Sequence, residues 1–96
     1  MARLGDSEID ERLERMQWRR EGDRIVRDVE CKGFHSAMAL ANAVAEAANE
    51  ANHHPDILIH DYKHVRLMLS THSAGGITEH DFALAGMIDG LVVDAS

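Results

Sequence analysis

Asn52-His53-His54-Pro55-Asp56 is the stretch on which the fold turns. Ahead of it runs Ala37 to Ala51, rich in alanine, with Met38, Leu40 and Val44 and only Glu46 and Glu50 charged. A helix this apolar almost all round must be covered on more than one side, here by a sheet and by a second helix or subunit. Ser36 reads as its cap. Pro55 drives the residue before it, His54, out of the helical region and toward extended backbone. The helix therefore ends near Asn52, both histidines fall at its exit, and Asp56 to Ile59 begin a strand with Ile57 and Ile59 on one side.

Working outward toward the C-terminus, His60-Asp61-Tyr62-Lys63 forms a connection. Val65, Leu67 and Leu69 then alternate with Arg66, Met68 and Ser70, a period of two that marks a strand. Ser73-Ala74-Gly75-Gly76 reads as a flexible loop. Thr78 caps a further helix with Glu79 and Asp81 in its first turn, Phe82, Leu84, Ala85, Ile88 and Leu91 behind, and Gly90 ending it.

Working back toward the N-terminus, Glu21-Gly22-Asp23 is a turn signal. After it, Ile25, Val29 and Cys31 share one parity with Arg27, while Val26 lies among Asp28, Glu30 and Lys32 on the other. Residues from about 17 to 34 thus form a hairpin. Ser7 reads as the cap of a short amphipathic helix, with Glu8, Asp10 and Glu11 in its first turn and Ile9, Leu13 and Met16 at helical spacing.

The element order α-β-β-α-β-β-α predicts an α+β fold, a four-stranded antiparallel sheet with helices packed on one face. We expect one domain over residues 1–96, with 1–5 and 93–96 as loose tails. Short exposed edge strands and the alanine-rich helix predict that copies of the chain associate.

Composition narrows the function. A formal net charge of -7 over 96 residues gives no electrostatic footprint for nucleic acid, so direct DNA or RNA binding is not expected. The single cysteine, Cys31, allows no intrachain disulfide and reads as packing in a reducing compartment. No apolar run approaches the roughly 20 residues of a membrane span, and Met1 to Asp6 lacks a signal core. A cytoplasmic location is the expectation.

The chemistry lies in the histidines. Imidazole exchanges a proton near neutrality. If the strands on either side of residues 60–63 pair antiparallel, the start of the first lies beside the end of the second. His53 and His54 then come near His72, with the hydroxyls of Ser70 and Thr71 between them. On composition alone a polar rim is the commoner explanation for such histidines. A metal site lacks support: no cysteine joins them, and no His-Glu-x-x-His helix is present. His35, His60, His64 and His80 read as surface residues. Asp81 has two readings that are compatible, a cap for its helix and an orienting partner for an imidazole.

In Asn52-His53-His54-Pro55-Asp56-Ile57, Tyr62, Val65, Leu67, Leu69, Thr71-His72, Gly76, Thr78 and Asp81, the chain resembles the pterin-4a-carbinolamine dehydratases. Six residues separate Pro55 from Tyr62, nine separate Tyr62 from His72, and eight separate His72 from Asp81. The likeness runs over roughly residues 7–91. It implies dehydration of a 4a-hydroxytetrahydropterin, left by aromatic amino acid hydroxylases, to quinonoid dihydropterin, with neither metal nor cofactor. It implies His53 and His72 as acid/base groups, His54 as a residue that binds or orients the pterin, and Asp81 as a catalytic orienting group. Ile57, Ser70 and Thr71 would contact the ring.

The resemblance further implies a homodimer or homotetramer, with an aromatic amino acid hydroxylase as a candidate protein partner. One departure stands out: the family places an ionisable residue four positions before the first histidine, where this chain has Asn49. The alternative is a weakly active or inactive relative that serves as a regulatory binding partner, or works in another pterin-linked pathway such as molybdenum cofactor handling.

Overall fold

The computed structural model describes residues 2–95, leaving the two outermost residues of the predicted tails, Met1 and Ser96, outside the described residues. The elements run α1 (Asp6–Leu13), β1 (Arg19–Glu21), β2 (Arg24–Glu30), α2 (Phe34–Ala51), β3 (Asp56–His60), β4 (His64–Leu69), a 3-10 turn (His72–Ala74) and α3 (Glu79–Ala95). The four strands form an antiparallel sheet in the order β1-β2-β4-β3. This is the predicted α+β arrangement in the predicted order.

Parity decides which residues face the helices. Ile25 pairs with Leu69, Val29 with Val65, and Ile57 with Leu67, so these side chains share one face. There Ile25, Val29, Val65, Leu67 and Leu69 meet Leu40 and Val44 of α2 and Leu84, Ala85 and Ile88 of α3 in one buried cluster, while Ile57, on the edge strand, stays exposed. Each fully buried Leu, Ile or Val contributes about 1.5–3 kcal/mol, so this face holds the layers together. Cys31 is buried in the same cluster, and burial pushes its thiol pKa up, as suits a packing residue.

Arg27 falls on the helix face with the hydrophobic residues, and its partner comes from the helix layer. Its guanidinium pairs with Asp89 of α3, whose Oδ1 also accepts the indole N–H of Trp18 at 2.8 Å. The Arg27 side chain is 13% exposed, so loss of its counter-charge leaves a largely buried cation. Asp89→Ala is expected to cost about 2 kcal/mol, below the full value for a buried pair because the carboxylate is itself partly exposed. Urea unfolding should show a lower midpoint with an unchanged slope.

Several local expectations are corrected. Ser7 and Ser36 do not cap: α1 and α2 start earlier, with Gly5 and Gly33 at the N-caps and no side-chain cap bond at either. The stretch 1–5 was expected to be loose, yet the Leu4 amide donates to the Ile77 carbonyl at 2.8 Å, which anchors the chain just before α1. Gly90 does not end α3, which runs on to Ala95. Leu91 and Val92 continue to pack on the core, and that burial outweighs glycine's helix penalty of about 1 kcal/mol. Residues 73–76 form a tight turn instead of a flexible loop. Thr71 and Gly76 bond each other's backbone in both directions, and Gly75 takes the left-handed conformation its lack of a β-carbon permits.

Candidate active site

Two chain reversals at one end of the sheet build the site. The first is the end of α2, where Asn52 adopts a left-handed conformation, φ 51° and ψ 41°, that asparagine tolerates better than most residues. The His53 amide then donates back to the Ala48 carbonyl at 3.1 Å. This cap, with Pro55 three residues on, throws His53 and His54 clear of the helix.

The second is the start of α3, where Thr78 and Asp81 form a reciprocal capping box. Thr78 Oγ1 accepts the His80 amide at 3.2 Å, while Asp81 Oδ2 accepts the Thr78 amide at 2.8 Å.

Asp81 has 0% exposure, and its second oxygen carries the point of interest. Oδ2 also accepts the Thr71 hydroxyl at 2.9 Å, and Thr71 and Thr78 share a hydroxyl contact at 2.8 Å. Both donors to Oδ2 are therefore fixed by the fold, and Oδ1 is left facing His53 Nε2 at 2.6 Å. A carboxylate only accepts, so Nε2 carries the hydrogen in this pair, and whenever the ring is neutral its lone pair is on Nδ1. The His53 side chain is 14% exposed, enough to be reached from the cleft.

The cleft has a volume of about 290 Å³ and is open to solvent. Asn52, His53 and His54 form one wall and Ser70, Thr71, His72 and Ser73 the other. Antiparallel pairing of β3 with β4 thus gathers all three histidines and both hydroxyl residues around one hollow. Its volume lies at the small end for ligand sites and is commensurate with a flat bicyclic ring. His72 opens the 3-10 turn and is exposed. Ile57 is the one candidate contact residue that does not line this cleft: it pairs with Leu67 on the helix face of β3.

Two features were not anticipated. His80, read as a surface residue, is exposed but lays its ring beside His53, with centroids 5.7 Å apart at 36°. Its position next to Asp81 in the first helical turn was the available signal. Asn49, the departure noted above, touches His54 and not His53: its Oδ1 lies 3.0 Å from His54 Nε2. The amide oxygen orients that ring as a carboxylate would, but without the charge. Among the described residues, no group of three or more His, Cys, Asp or Glu is arranged to hold a metal ion.

Fold and cleft together define the class: an α+β protein that presents imidazoles, hydroxyls and one buried carboxylate at the end of a four-stranded sheet. The chain belongs to the pterin 4 alpha carbinolamine dehydratase family, whose model matches residues 2–91. A relative from Thermomicrobium roseum, provisionally named a pterin-4-alpha-carbinolamine dehydratase, is 55% identical over 86 residues, covering 88% of this chain and 91% of the relative.

Among solved structures, a transcriptional coactivator/pterin dehydratase from Brucella melitensis superposes with a TM-score of 0.87 at 30% identity, covering 94% of this chain and 98% of that one. A pterin dehydratase-like RuBisCO assembly factor of the alpha-carboxysome has a TM-score of 0.67 at 22% identity, covering 81% and 92%, and supports the fold alone. No helix among the described residues is long and apolar enough to cross a membrane.

Proposed function

We propose that this protein removes water from a 4a-hydroxytetrahydropterin to give the quinonoid dihydropterin, by histidine acid–base catalysis, in the recycling of a tetrahydrobiopterin-type cofactor. The observation that carries this reading is the 2.6 Å contact of His53 with the buried Asp81 in a cleft shared with His54 and His72. In the reaction, the bond from C4a to its hydroxyl oxygen breaks and its electron pair leaves with the oxygen. A proton delivered to that oxygen makes the leaving group water. Removal of the proton on the adjacent ring nitrogen lets its electron pair form the new double bond to C4a.

His53 suits the base, because Asp81 steadies the positive ring that forms when Nδ1 takes a proton. The His72 side chain has no hydrogen-bond partner among the described residues and is free to serve as the acid. His54, held by Asn49, orients the pterin with Ser70 and Thr71. Addition of the purified protein to a freshly generated carbinolamine should accelerate the appearance of quinonoid dihydropterin above the uncatalysed rate. No acceleration at any pH between 6 and 9 would overturn the reading.

Asn49 offers a test of how fully the site is tuned. Asn49→Glu places a carboxylate beside His54 and favours its charged form. The dehydration rate is expected to rise several-fold, within the factor of about ten that 1.4 kcal/mol represents. An unchanged rate would show that the neutral amide suffices.

A regulatory reading has one observation in its favour. Phe34 and Met38, one turn apart on α2, are 57% and 40% exposed, an apolar surface fit for a protein partner. The same surface, with the free edge of β3, fits the homodimer or homotetramer expected above, and a hydroxylase is a further candidate for it. Light scattering gives the assembly size. A partner complex that survives His53→Ala and His72→Ala, in a protein without turnover, would favour regulation.

A further inference from the structure

The hollow beside His72 has a continuation. On the far side of Ser70, Thr71 and His72 lies a second open hollow of about 290 Å³, closed by Asp23 and Arg24 at the β1–β2 turn and by Gly75 and Gly76. The two hollows share Ser70, Thr71 and His72 as common lining, so they adjoin across the end of the sheet as one interrupted trough. The strand registers explain the layout. Ile25 pairs with Leu69 and Asp56 with Met68, and continuing both pairings outward sets Ser70 between Arg24 and His54. Two strand spacings, about 10 Å, separate those outer residues. A bicyclic ring held at the histidines therefore has Arg24 within reach of a short substituent.

The charge at that end opposes the charge of the whole chain. Arg24 is exposed and makes no ion pair among the described residues. Arg3 approaches the same rim: its Nη1 donates to the Gly75 carbonyl at 3.4 Å, and its stem lies where a β-carbon on Gly76 would be. It too has no carboxylate partner among the described residues. Two guanidiniums thus face one carboxylate, Asp23, on a protein of net charge -7. Guanidinium is the side chain best matched to the paired oxygens of a phosphate or carboxylate.

We infer that the Arg24 half of the trough is a subsite for an anionic side chain on the pterin, a phosphate ester or a carboxylate. The inference rests on the pterin reading above and adds the class of substituent this chain selects. Arg24 reads the anion and Arg3 reinforces it, while His53, His54 and His72 act on the ring.

Fluorescence titration of the full chain with 6-hydroxymethylpterin, its phosphate monoester and 6-carboxypterin tests the subsite. At least one anion should bind about tenfold more tightly than the alcohol, as one charge-assisted hydrogen bond allows. That preference should shrink as sodium chloride is raised. Arg24→Gln should bring the ratio of anion to alcohol affinity toward one, and Arg3→Gln should lower it in part. An Arg24-dependent preference for the ester alone assigns a phosphate tail, and one for 6-carboxypterin alone assigns a carboxylate. Binding of the alcohol with no preference for either anion, or a preference that survives Arg24→Gln, overturns the subsite while leaving the pterin reading intact. Failure of all three ligands to bind overturns both.

Discussion

His53→Ala and His72→Ala are each expected to lower the dehydration rate by about 10²- to 10⁴-fold, the usual contribution of a positioned acid or base. The loss should fall on kcat more than on KM, because His54, Ser70 and Thr71 still line the cleft. The two variants should differ in their pH profiles. With His53 absent, the remaining activity should rise with pH, as hydroxide or buffer base takes over removal of the ring-nitrogen proton. With His72 absent, it should rise as pH falls, as hydronium replaces the missing acid. His72 is exposed, so its removal should barely shift thermal unfolding, whereas loss of His53 leaves Oδ1 of the buried Asp81 without its partner and should cost about 1–3 kcal/mol of stability. A rate equal to that of the unaltered protein in either variant would remove that residue from the mechanism. Matching pH profiles would show that the division of roles is wrong.

How much of this was legible beforehand depended on whether a residue's effect is local. Pro55 constrains its neighbour through sterics alone, so the end of α2 could be placed to within a residue, at Ala51 with Asn52 as the cap. The alternation through Val65, Leu67 and Leu69 is equally local, since period-two burial follows from strand geometry. Arg27 could be assigned to the helix-facing side on the same ground. Its partner Asp89 could not, because it lies 62 positions further along the chain.

The site divides in the same way. The gathering of His53, His54 and His72 follows from one hairpin between β3 and β4 and was foreseeable from their order. Contacts between elements that are not hairpin neighbours were less legible: Asp81 as the partner of an imidazole was one of two readings, and His80 beside His53 was not read at all. His80 meets His53 because of how α3 lies against the end of α2, which no spacing in the chain encodes. The tightness of the turn after His72 depends on a pair of backbone bonds between Thr71 and Gly76, whereas its glycines alone suggest freedom. Gly90 misled for a related reason: its penalty is local, and the burial of Leu91 and Val92 that overcomes it is tertiary.

Asp81 has two roles, and two substitutions should separate them. Asp81→Ala removes the acceptor of the Thr78 amide and of the Thr71 hydroxyl, both buried. A lost cap and an unsatisfied buried donor together are expected to cost about 2–4 kcal/mol. For a chain of this size that corresponds to a fall in Tm of the order of 10–20 °C, together with loss of turnover. Asp81→Asn keeps the shape and one acceptor oxygen. That oxygen satisfies Thr78 and Thr71, which forces the amide nitrogen toward His53.

An N–H donor at that position can pair with His53 only if Nε2 becomes the acceptor. The ring hydrogen then moves to Nδ1, the atom assigned to take the substrate's proton. The base is lost through a change of tautomer, and the negative charge that would steady a protonated ring is lost with it. Asp81→Asn should therefore retain most of the stability, within about 1–2 kcal/mol of the unaltered protein, yet lose at least about 10²-fold in rate. A Tm measurement beside a turnover assay reads both quantities on one preparation. If Asp81→Asn keeps its activity, the carboxylate is a helix cap and no more. The proton taken from the pterin would then have to go to an imidazole other than His53.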